Sequence, residues 1–493
     1  MPPRFKELYK PVPTNGDVRQ RRLSLEAQLR RFKREQAFMG KRLRFRQSQE
    51  SETESEYEFT PSDTAKISSG LKSSKRETRV ASLATLGAKL EQPSEELRRF
   101  VLEGECMDIL VGFLGTTDAS EKLQCLWCLT NIAAGEAAMA ERALEAVPYL
   151  LELISSDDME LQNQAIWAVG NLAAEGEAER ERLYANGVLA PLVEILSGTP
   201  DKEVLQTTCF ALSNMARRPN SYTDRLFELG LPQTVARRLG QFSDDAGCVA
   251  ELAWVCVYLT ASSTDQQLAQ IVQTGAVDQL LAHALGAPAT AHTVLIPVTR
   301  TLGNIAAGTD AQTHELVAKD GFLELILRGI ESTSSRALEK ESLWVLSSVT
   351  AGRTEDVDAV VNAGAVERLV RIVEKRNFDI KKEAAYSLLN IAIVGQRAAD
   401  LPNEQLVPEF VEFVRSHDDE LIRMGIHYFA LLFEQLPARR GVQLLKAVPA
   451  AIDALETQMA VTESDDARAL LSALIDDYYS DEPAAEGAMV PQP

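Results

Sequence analysis

A flat side chain followed four residues later by an amide recurs along this chain at nearly regular intervals. The pair appears as Trp127/Asn131, Trp167/Asn171 and Phe210/Asn214, and then in substituted form as Trp254/Tyr258, Arg300/Asn304, Trp344/Ser348 and Tyr386/Asn390. The leading residues of successive pairs are 40, 43, 44, 46, 44 and 42 positions apart. A period of this size indicates one structural unit repeated along the chain, which few folds accommodate.

Residues 74–480 show what the repeated unit is made of. Helical patterns such as NGVLAPLVEILSG and LQNQAIWAVGNLAAEG alternate with short turns that contain Gly, Asp or Pro. A unit of this length cannot bury its apolar face alone, so neighbouring units must stack. The period is typical of armadillo and HEAT repeats. We therefore expect an all-α, right-handed superhelical armadillo-repeat solenoid of about ten repeats, with capping units near 74–115 and 440–480 and with the last helices lining one concave wall.

The charge of the chain is divided between a basic N-terminal arm and an acidic remainder. Residues 1–46 hold 14 Lys or Arg against 4 Asp or Glu, whereas the rest holds 37 against 68. An acidic body repels phosphate and attracts cationic segments, so we expect no direct binding of nucleic acid. We expect the arm to be disordered by itself and to become ordered when it binds an acidic partner. Residues 47–73 are rich in Ser, Thr and Glu and predict a disordered linker, and residues 481–493 predict a disordered tail.

Several classes of protein are disfavoured by the sequence. No run of about 18 apolar residues and no apolar N-terminal region occurs, so we expect neither a membrane span nor a signal peptide. The motif Cys125-x-x-Cys128 lies inside a helical pattern, which favours packing over a redox or zinc role. The five histidines lack the spacing of metal ligands or a partnered nucleophile: His283, His292, His314, His417 and His427. We therefore expect no enzyme activity, cofactor or metal site.

The ladder itself, defined as the seven pairs above, predicts a peptide site. Residues four apart share one face of a helix, so the flat rings and the amides should project together. An amide can hold the main chain of an extended peptide through both its donor and its acceptor. Rings spaced by packed helices form slots for long aliphatic stems that end in a cation. The alternative is that the rings belong to the core, but buried asparagines would then need polar partners.

The same residues resemble a known family. The phrases LWCLTNIAAG, IWAVGNLAAEG, AWVCVYLT, RTLGNIAAGTDAQTHELVAKDG and KKEAAYSLLNIA are similar to successive armadillo repeats of importin-α, and RQRRLSLEAQLRRFKREQAFMGKRLRFR resembles its importin-β-binding arm. The likeness covers nearly the whole chain. It implies a nuclear import adaptor that shuttles between cytoplasm and nucleus and binds lysine-rich localisation signals of cargo proteins at a major and a minor site.

The resemblance places the major peptide site in the early repeats. Its residues would be Trp127, Asn131, Gly135, Gln164, Trp167, Asn171, Glu175, Phe210, Asn214, Glu251 and Trp254. Glu175 replaces the family's aspartate and Phe210 replaces its third indole, whose face attracts cations more strongly. We therefore expect an intact site whose affinity or signal preference has shifted.

The minor site would lie in the later repeats. Its residues would be Arg300, Asn304, Asp310, Thr313, Glu341, Trp344, Ser348, Glu383, Tyr386 and Asn390. Ser348 stands where the family has asparagine, and Tyr386 stands where it has tryptophan. We expect this site to bind the second basic cluster of a two-part signal more weakly than the major site binds the first.

The arm would supply two further contacts. The resemblance assigns importin-β binding and self-binding to Arg21, Arg22, Arg30, Arg31, Lys33, Arg34, Lys41, Arg42 and Arg44. The cluster at 41–44 would occupy the major site when importin-β is absent, with Leu43 interrupting the basic run. The segment LETQMAVTESDDARALLSALIDDYYSDE resembles the end of the family that meets its nuclear export receptor.

Two alternatives remain open at this point. An armadillo scaffold of the catenin type shares the stacking, but such proteins favour a basic groove, whereas this body is acidic. The other alternative keeps the fold and the groove and assigns them to a specialised cargo. The substitutions Phe210, Ser348 and Tyr386 motivate that interpretation.

Overall fold

The computed structural model describes residues 60–480, apart from residues 92, 218–219 and 463–464. The regular elements in this part of the chain are helices, which we number α1–α28. Short 3-10 turns at Leu144–Ala146, Ala398–Asp400 and Pro437–Arg439 join some of them. The described residues divide into two compact units, the first ending at Gly286 and the second beginning at Ala287.

The first unit contains sixteen helices. They are α1 Pro61–Leu71, α2 Arg76–Lys89, α3 Glu95–Leu102, α4 Cys106–Leu114, α5 Ala119–Ala133, α6 Ala137–Ala143, α7 Val147–Ile154, α8 Met159–Glu175, α9 Glu177–Ala185, α10 Leu189–Gly198, α11 Lys202–Met215, α12 Asn220–Glu228, α13 Leu231–Gln241, α14 Ala246–Ser262, α15 Asp265–Gln273 and α16 Ala276–Gly286.

The second unit contains twelve helices. They are α17 His292–Ala306, α18 Asp310–Val317, α19 Phe322–Ile330, α20 Arg336–Thr350, α21 Thr354–Asn362, α22 Ala365–Lys375, α23 Phe378–Val394, α24 Asn403–Val414, α25 Asp419–Gln435, α26 Arg440–Lys446, α27 Ala451–Val461 and α28 Asp465–Tyr479.

The longest helix of each repeat packs on the longest helix of the next. In the first unit this order is α2, α5, α8, α11 and α14, and in the second it is α17, α20, α23, α25 and α28. We call these ten the ladder helices. Shorter helices pack on them from the same repeat, so each repeat buries its apolar face only with its neighbours. The predicted all-α fold of about ten stacked repeats is confirmed.

Aspartates cap the starts of four ladder helices in the first unit, α5, α8, α11 and α14. The Asp118 carboxylate accepts from the Glu121 N–H at 3.0 Å, and Asp158 accepts from Glu160 at 3.0 Å. Asp201 and Asp245 cap α11 and α14 in the same way. The first N–H groups of a helix have no intrahelical acceptor, so each carboxylate satisfies a donor and complements the positive end of the helix dipole.

Glycines fix the turn between the first and second helix of successive repeats. Gly187, Gly230, Gly275, Gly321 and Gly364 all have φ between 73° and 79°. This left-handed conformation is costly for any residue with a Cβ atom. The backbone at these five turns therefore requires the periodic glycines of the sequence.

The prediction that residues 47–73 form a disordered linker is wrong for its last part. Residues from Pro61 to Leu71 form helix α1, which begins with a capping box between Thr60 and Asp63 and buries Ile67 and Leu71. The sequence did not indicate this helix because the segment is rich in Ser and Thr and only two of its apolar side chains pack against the neighbouring helices. The predicted arm 1–46, the residues 47–59 and the tail 481–493 lie outside the described residues.

The cysteines follow the packing interpretation. All six are free thiols in buried positions. Burial raises the pKa of Cys125 and Cys128 well above the usual value, and their Sγ atoms approach the Leu110 and Leu83 carbonyls at 3.1 and 3.3 Å. Within the described residues no helix is long and apolar enough to cross a membrane, and no group of three or more His, Cys, Asp or Glu is placed to hold a metal ion.

Replacing Asp118 with Asn tests how charge joins successive ladder helices. Arg76, at the start of α2, hydrogen-bonds Asp118 and holds the pKa of that carboxyl at about 2. A folded-state pKa below the unfolded value stabilises the fold above about pH 4 and loses this contribution as the pH falls toward 2. Asparagine also caps helices well. Asp118→Asn should therefore lower the urea midpoint at pH 7, and the difference from wild type should shrink below about pH 4.

Asp157→Asn is the control, because Asp157 is an exposed aspartate outside the helix cap. Its urea midpoint should match wild type at each pH. A pH-independent loss in the Asp118 variant would contradict the ion-pair account.

Candidate functional site

The first four ladder pairs lie on four consecutive ladder helices of the first unit. Trp127 is on α5, Trp167 on α8, Phe210 on α11 and Trp254 on α14, and all four rings are half-buried. Because these helices pack in that order, the rings form one row along the stack. The rings therefore occupy equivalent positions on neighbouring helices, and their joint use as a peptide surface stays a prediction.

The asparagines of the ladder are not exposed, contrary to our expectation. Asn131, Asn171 and Asn214 are only 3%, 2% and 1% exposed. Each amide Nδ2 donates to a main-chain carbonyl of the preceding ladder helix: Gly87 at 2.8 Å, Thr130 at 3.0 Å and Gly170 at 3.1 Å, respectively. The buried amides therefore have the polar partners that a core position demands.

The ring and the amide of one pair hold the same residue of the preceding helix. The Phe210 ring lies over Gly170, where an added Cβ would come within 2.6 Å of two ring atoms, and Asn214 donates to the carbonyl of that same Gly170. The Trp127 ring and the Asn131 amide likewise both contact Gly87. The spacing of four residues in the ladder thus has a structural cause: the pair joins two successive repeats.

The amide oxygen of Asn171 is buried without a hydrogen-bond donor among the described residues. Asn171 Oδ1 accepts no hydrogen bond from the described residues, and Nδ2 carries a second hydrogen. The neighbouring Gln164 is 6% exposed and donates to the Thr130 hydroxyl at 2.7 Å. Because this oxygen is buried, the amide acts in this structure as a joint between the two helices.

Acidic side chains adjoin this row. Glu175 is exposed at the end of α8, and Glu251 is half-buried one turn before Trp254. Gly135 follows the end of α5 and is half-buried. Rings flanked by carboxylates suit a ligand with aliphatic stems and cationic ends. The structure thus brings the predicted major-site residues of the first unit onto neighbouring elements.

The fourth pair is built differently and includes a residue that the sequence analysis missed. Tyr258 stands at the asparagine position, is 7% exposed and stacks on Trp254 with the ring centroids 6.1 Å apart. The Arg217 guanidinium lies 5.0 Å from the centre of the Tyr258 ring, and burial lowers the pKa of Arg217. Ser262 donates to the Ala216 carbonyl at 3.1 Å, which replaces the missing amide joint. In the sequence, the only indication of a role for Arg217 was its position three residues after Asn214.

The second unit contains the predicted minor-site residues. Arg300 on α17 and Glu341 on α20 form an ion pair of 2.7 Å in which both side chains are 10% exposed. The Trp344 ring lies so close over Gly303 that an added Cβ would come within 1.9 Å, and Trp344 is only 4% exposed. The helices that carry the fifth and sixth pairs are therefore tightly packed on each other, and less ring surface is exposed there than in the first four pairs.

Five further minor-site residues lie on α17, α18 and α23. Thr313 is fully buried and donates to the Ala306 carbonyl at 2.9 Å. Asp310 is exposed at the start of α18. The other three side chains are half-buried: Asn304, Glu383 and Tyr386.

Ser348 changes the joint of the sixth pair. Its hydroxyl donates to the Trp344 carbonyl of its own helix at 3.0 Å, whereas Asn390 donates to the Ser347 carbonyl of the preceding ladder helix at 3.0 Å. A hydroxyl at this position is too short to make the cross-helix bond that asparagine makes elsewhere. The ladder therefore has one amide fewer at this position.

The nine arm residues assigned to importin-β binding and self-binding lie outside the described residues.

Replacing Asn171 tests whether the ladder amides join successive helices. Asn171→Ala removes the cross-helix bond to the Thr130 carbonyl, which keeps the Ala134 N–H as a donor at 3.0 Å, and one such hydrogen bond contributes about 0.5–1.5 kcal/mol. We expect a lower urea midpoint and faster amide exchange in α5 and α8. Asn163→Ala on the same helix removes only a surface bond of 3.3 Å to Glu203 and should leave both unchanged. Equal stability of the two variants would show that the amide is not a structural joint.

Comparisons with known proteins agree with this architecture. A HEAT-like repeat model matches residues 159–215, and an armadillo/β-catenin-like repeat model matches residues 140–174 and 353–393. A solved structure of an engineered protein is similar with a TM-score of 0.70 at 24% identity, covering 85% of this chain and 99% of that one. This likeness shows the fold alone.

Curated relatives show the family. The chain is 30% identical over 428 residues to importin subunit alpha-9 of Arabidopsis thaliana, covering 83% of this chain and 80% of that protein. It is also 30% identical over 423 residues to importin subunit alpha-2 of Oryza sativa subsp. japonica, covering 82% and 79%. Similarity of this extent includes ladder helices of both units, and the chain therefore belongs to the importin-α family of armadillo-repeat proteins.

Proposed function

We propose that this chain is a nuclear import adaptor that binds a lysine-rich localisation signal along the first unit and links the cargo to importin-β through its basic arm. The proposal rests on one observation above all: half-buried rings on four consecutive ladder helices, with the carboxylates of Glu175 and Glu251 on two of those helices. Membership of the importin-α family supports the same function. In this function the adaptor shuttles between cytoplasm and nucleus, and an export receptor that meets its C-terminal end returns it.

Binding of an extended cationic segment follows from the chemistry of this row. The ring faces attract the cationic stems, and each such contact contributes about 0.5–2 kcal/mol, depending on desolvation. The carboxylates select lysine or arginine at the ends of the stems. The acidic body attracts the same ligands over a longer range.

The arm provides regulation in this proposal. The basic cluster at Lys41, Arg42 and Arg44 competes with cargo for the major site, and tethering raises its local concentration to about the millimolar range. Importin-β withdraws the arm by binding it. Cargo affinity should therefore increase when importin-β is present.

The major site is tested by titrating a fluorescent lysine-rich localisation peptide into the full chain and into a variant with Lys41→Ala, Arg42→Ala and Arg44→Ala. We expect the arm variant to bind the peptide more tightly, and the full chain to reach a similar affinity when importin-β is added. In the arm variant, Glu175→Lys should weaken binding at least tenfold, because it puts a like charge beside the cationic stem. Glu160→Lys makes the same charge change at the exposed start of α8 and should have a much smaller effect.

A peptide that binds neither form would refute the adaptor proposal. Equal binding by the full chain and the arm variant would refute only the competition by the arm.

The second unit should bind a second basic cluster weakly. Ser348 offers no cross-helix amide, and Trp344 is buried on Gly303, so the late pairs present fewer ligand groups than the early ones. We expect a two-part signal to bind less than tenfold more tightly than its major cluster alone, measured in the arm variant. Ser348→Asn should increase that gain. A second cluster that contributes as much affinity as the first would contradict this expectation and leave the major site intact.

A further inference from the structure

One of the four indoles of this chain is buried. Trp344 is only 4% exposed, whereas Trp127, Trp167 and Trp254 are half-buried. All four are the leading residues of ladder pairs, so their place in the repeat is the same. What differs from one pair to the next is the residue of the preceding ladder helix against which the ring lies.

The Trp344 ring lies on a glycine of the preceding ladder helix. Gly303 belongs to α17, and the three atoms nearest to an added Cβ at this position all belong to the Trp344 ring. Two carbon atoms attract each other best at about 3.5–4.0 Å, so the ring occupies the volume that a β-carbon would need. Among the amino acids only glycine leaves this volume empty.

The same contact is looser in the first unit. An added Cβ would come within 2.6 Å of the Phe210 ring at Gly170 and within 3.2 Å of the Trp127 ring at Gly87. Both of these rings are half-buried. The ring that approaches its glycine most closely is therefore also the ring that is least exposed.

In two other pairs the equivalent residue carries a side chain. The amide of the pair identifies this residue, because it donates to the carbonyl of Thr130 in one case and of Ser347 in the other. The rings of these two pairs, Trp167 and Tyr386, are both half-buried. A β-carbon at this position thus accompanies a ring that stays partly exposed.

We propose that Gly303 is a specificity-determining residue of the second unit: it allows the Trp344 ring to lie against α17 and so closes a binding position for a cationic side chain. This inference rests on the proposed function. A β-carbon at residue 303 would displace the ring by about 1.5–2 Å, to an ordinary contact distance. Because protein interiors are close-packed, the direction left for the ring is toward solvent.

An exposed Trp344 ring would have a carboxylate on the next ladder helix. Glu383 is half-buried on α23, which packs on α20, and it lies one turn before Tyr386. The ring face suits the aliphatic stem of lysine or arginine, and the carboxylate attracts the charge at its end. A cation–π contact at a partly exposed site corresponds to a factor of about 2–5 in affinity. Gly303 withholds this contact from the ligand.

Gly303→Ala adds the missing β-carbon and tests the movement of the ring. Quenching of the tryptophan fluorescence by acrylamide should increase relative to wild type, because Trp344 becomes accessible. The increase should disappear when Trp344→Phe is combined with it. Gly112→Ala is the matched control, since Gly112 is an exposed glycine of α4 with no atom within 4 Å of an added Cβ, and it should leave the quenching unchanged.

Peptide binding to the same full-length proteins tests the consequence for specificity. The probes are a fluorescent two-part localisation peptide and a peptide that contains its major cluster alone. The ratio of the two affinities, measured on one protein, gives the contribution of the second cluster. This ratio should rise about 2- to 5-fold in Gly303→Ala and should equal the wild-type ratio in Gly112→Ala.

The outcomes separate this inference from the proposed function. Unchanged quenching in Gly303→Ala would overturn the inference, and so would failure of that variant to fold, because the ring would then have no path toward solvent. Increased quenching with an unchanged affinity ratio would overturn it as well, since the glycine would control the ring but not the ligand. If the wild-type chain does not bind the major cluster, the proposed function itself is refuted.

Discussion

The hydrogen bond from a ladder asparagine to a main-chain carbonyl of the preceding repeat is the contact on which the rest of the structure depends. Asn214 donates to the Gly170 carbonyl, and Phe210, one helical turn earlier, covers the same glycine with its ring. A repeat array has no contacts between distant parts of the sequence, so its stability depends on what joins neighbours. The ring makes an apolar contact and the amide makes a directional hydrogen bond. Together they fix the register of one ladder helix on the next.

This joint also explains why the ligand groups lie in a row. Each of these amides donates one hydrogen bond to the preceding helix. This bond prevents the amide from rotating, so its oxygen and its second hydrogen have a fixed direction. Binding groups that are already ordered cost less to immobilise when a peptide arrives. In the proposed function, stability and recognition therefore share side chains of the ladder. At Ser348 the hydroxyl bonds within its own helix, and the cross-helix bond of an asparagine is absent.

Much of the fold followed from the spacing of the pairs. The period predicted the stacked helices, the glycines predicted the turns, and the aspartates stand where helices begin. Helix α1 was missed because its contact rests on Ile67 and Leu71 within a Ser-rich segment, too little apolar pattern to distinguish a docked helix from a linker. Arg217 was missed because its contact with Tyr258 crosses from one repeat to the next, 41 positions away.

By itself, the sequence determined the repeat, the helical class and the surplus of acid over base in the body, because periodicity and charge are properties of residue order. Only the tertiary structure decided what the ladder amides do. Both an exposed amide and a buried one agree with a spacing of four residues, since that spacing fixes the face of a helix but not what covers it. The preceding helix covers that face, and its carbonyls accept hydrogen bonds from the asparagines, which therefore join successive repeats.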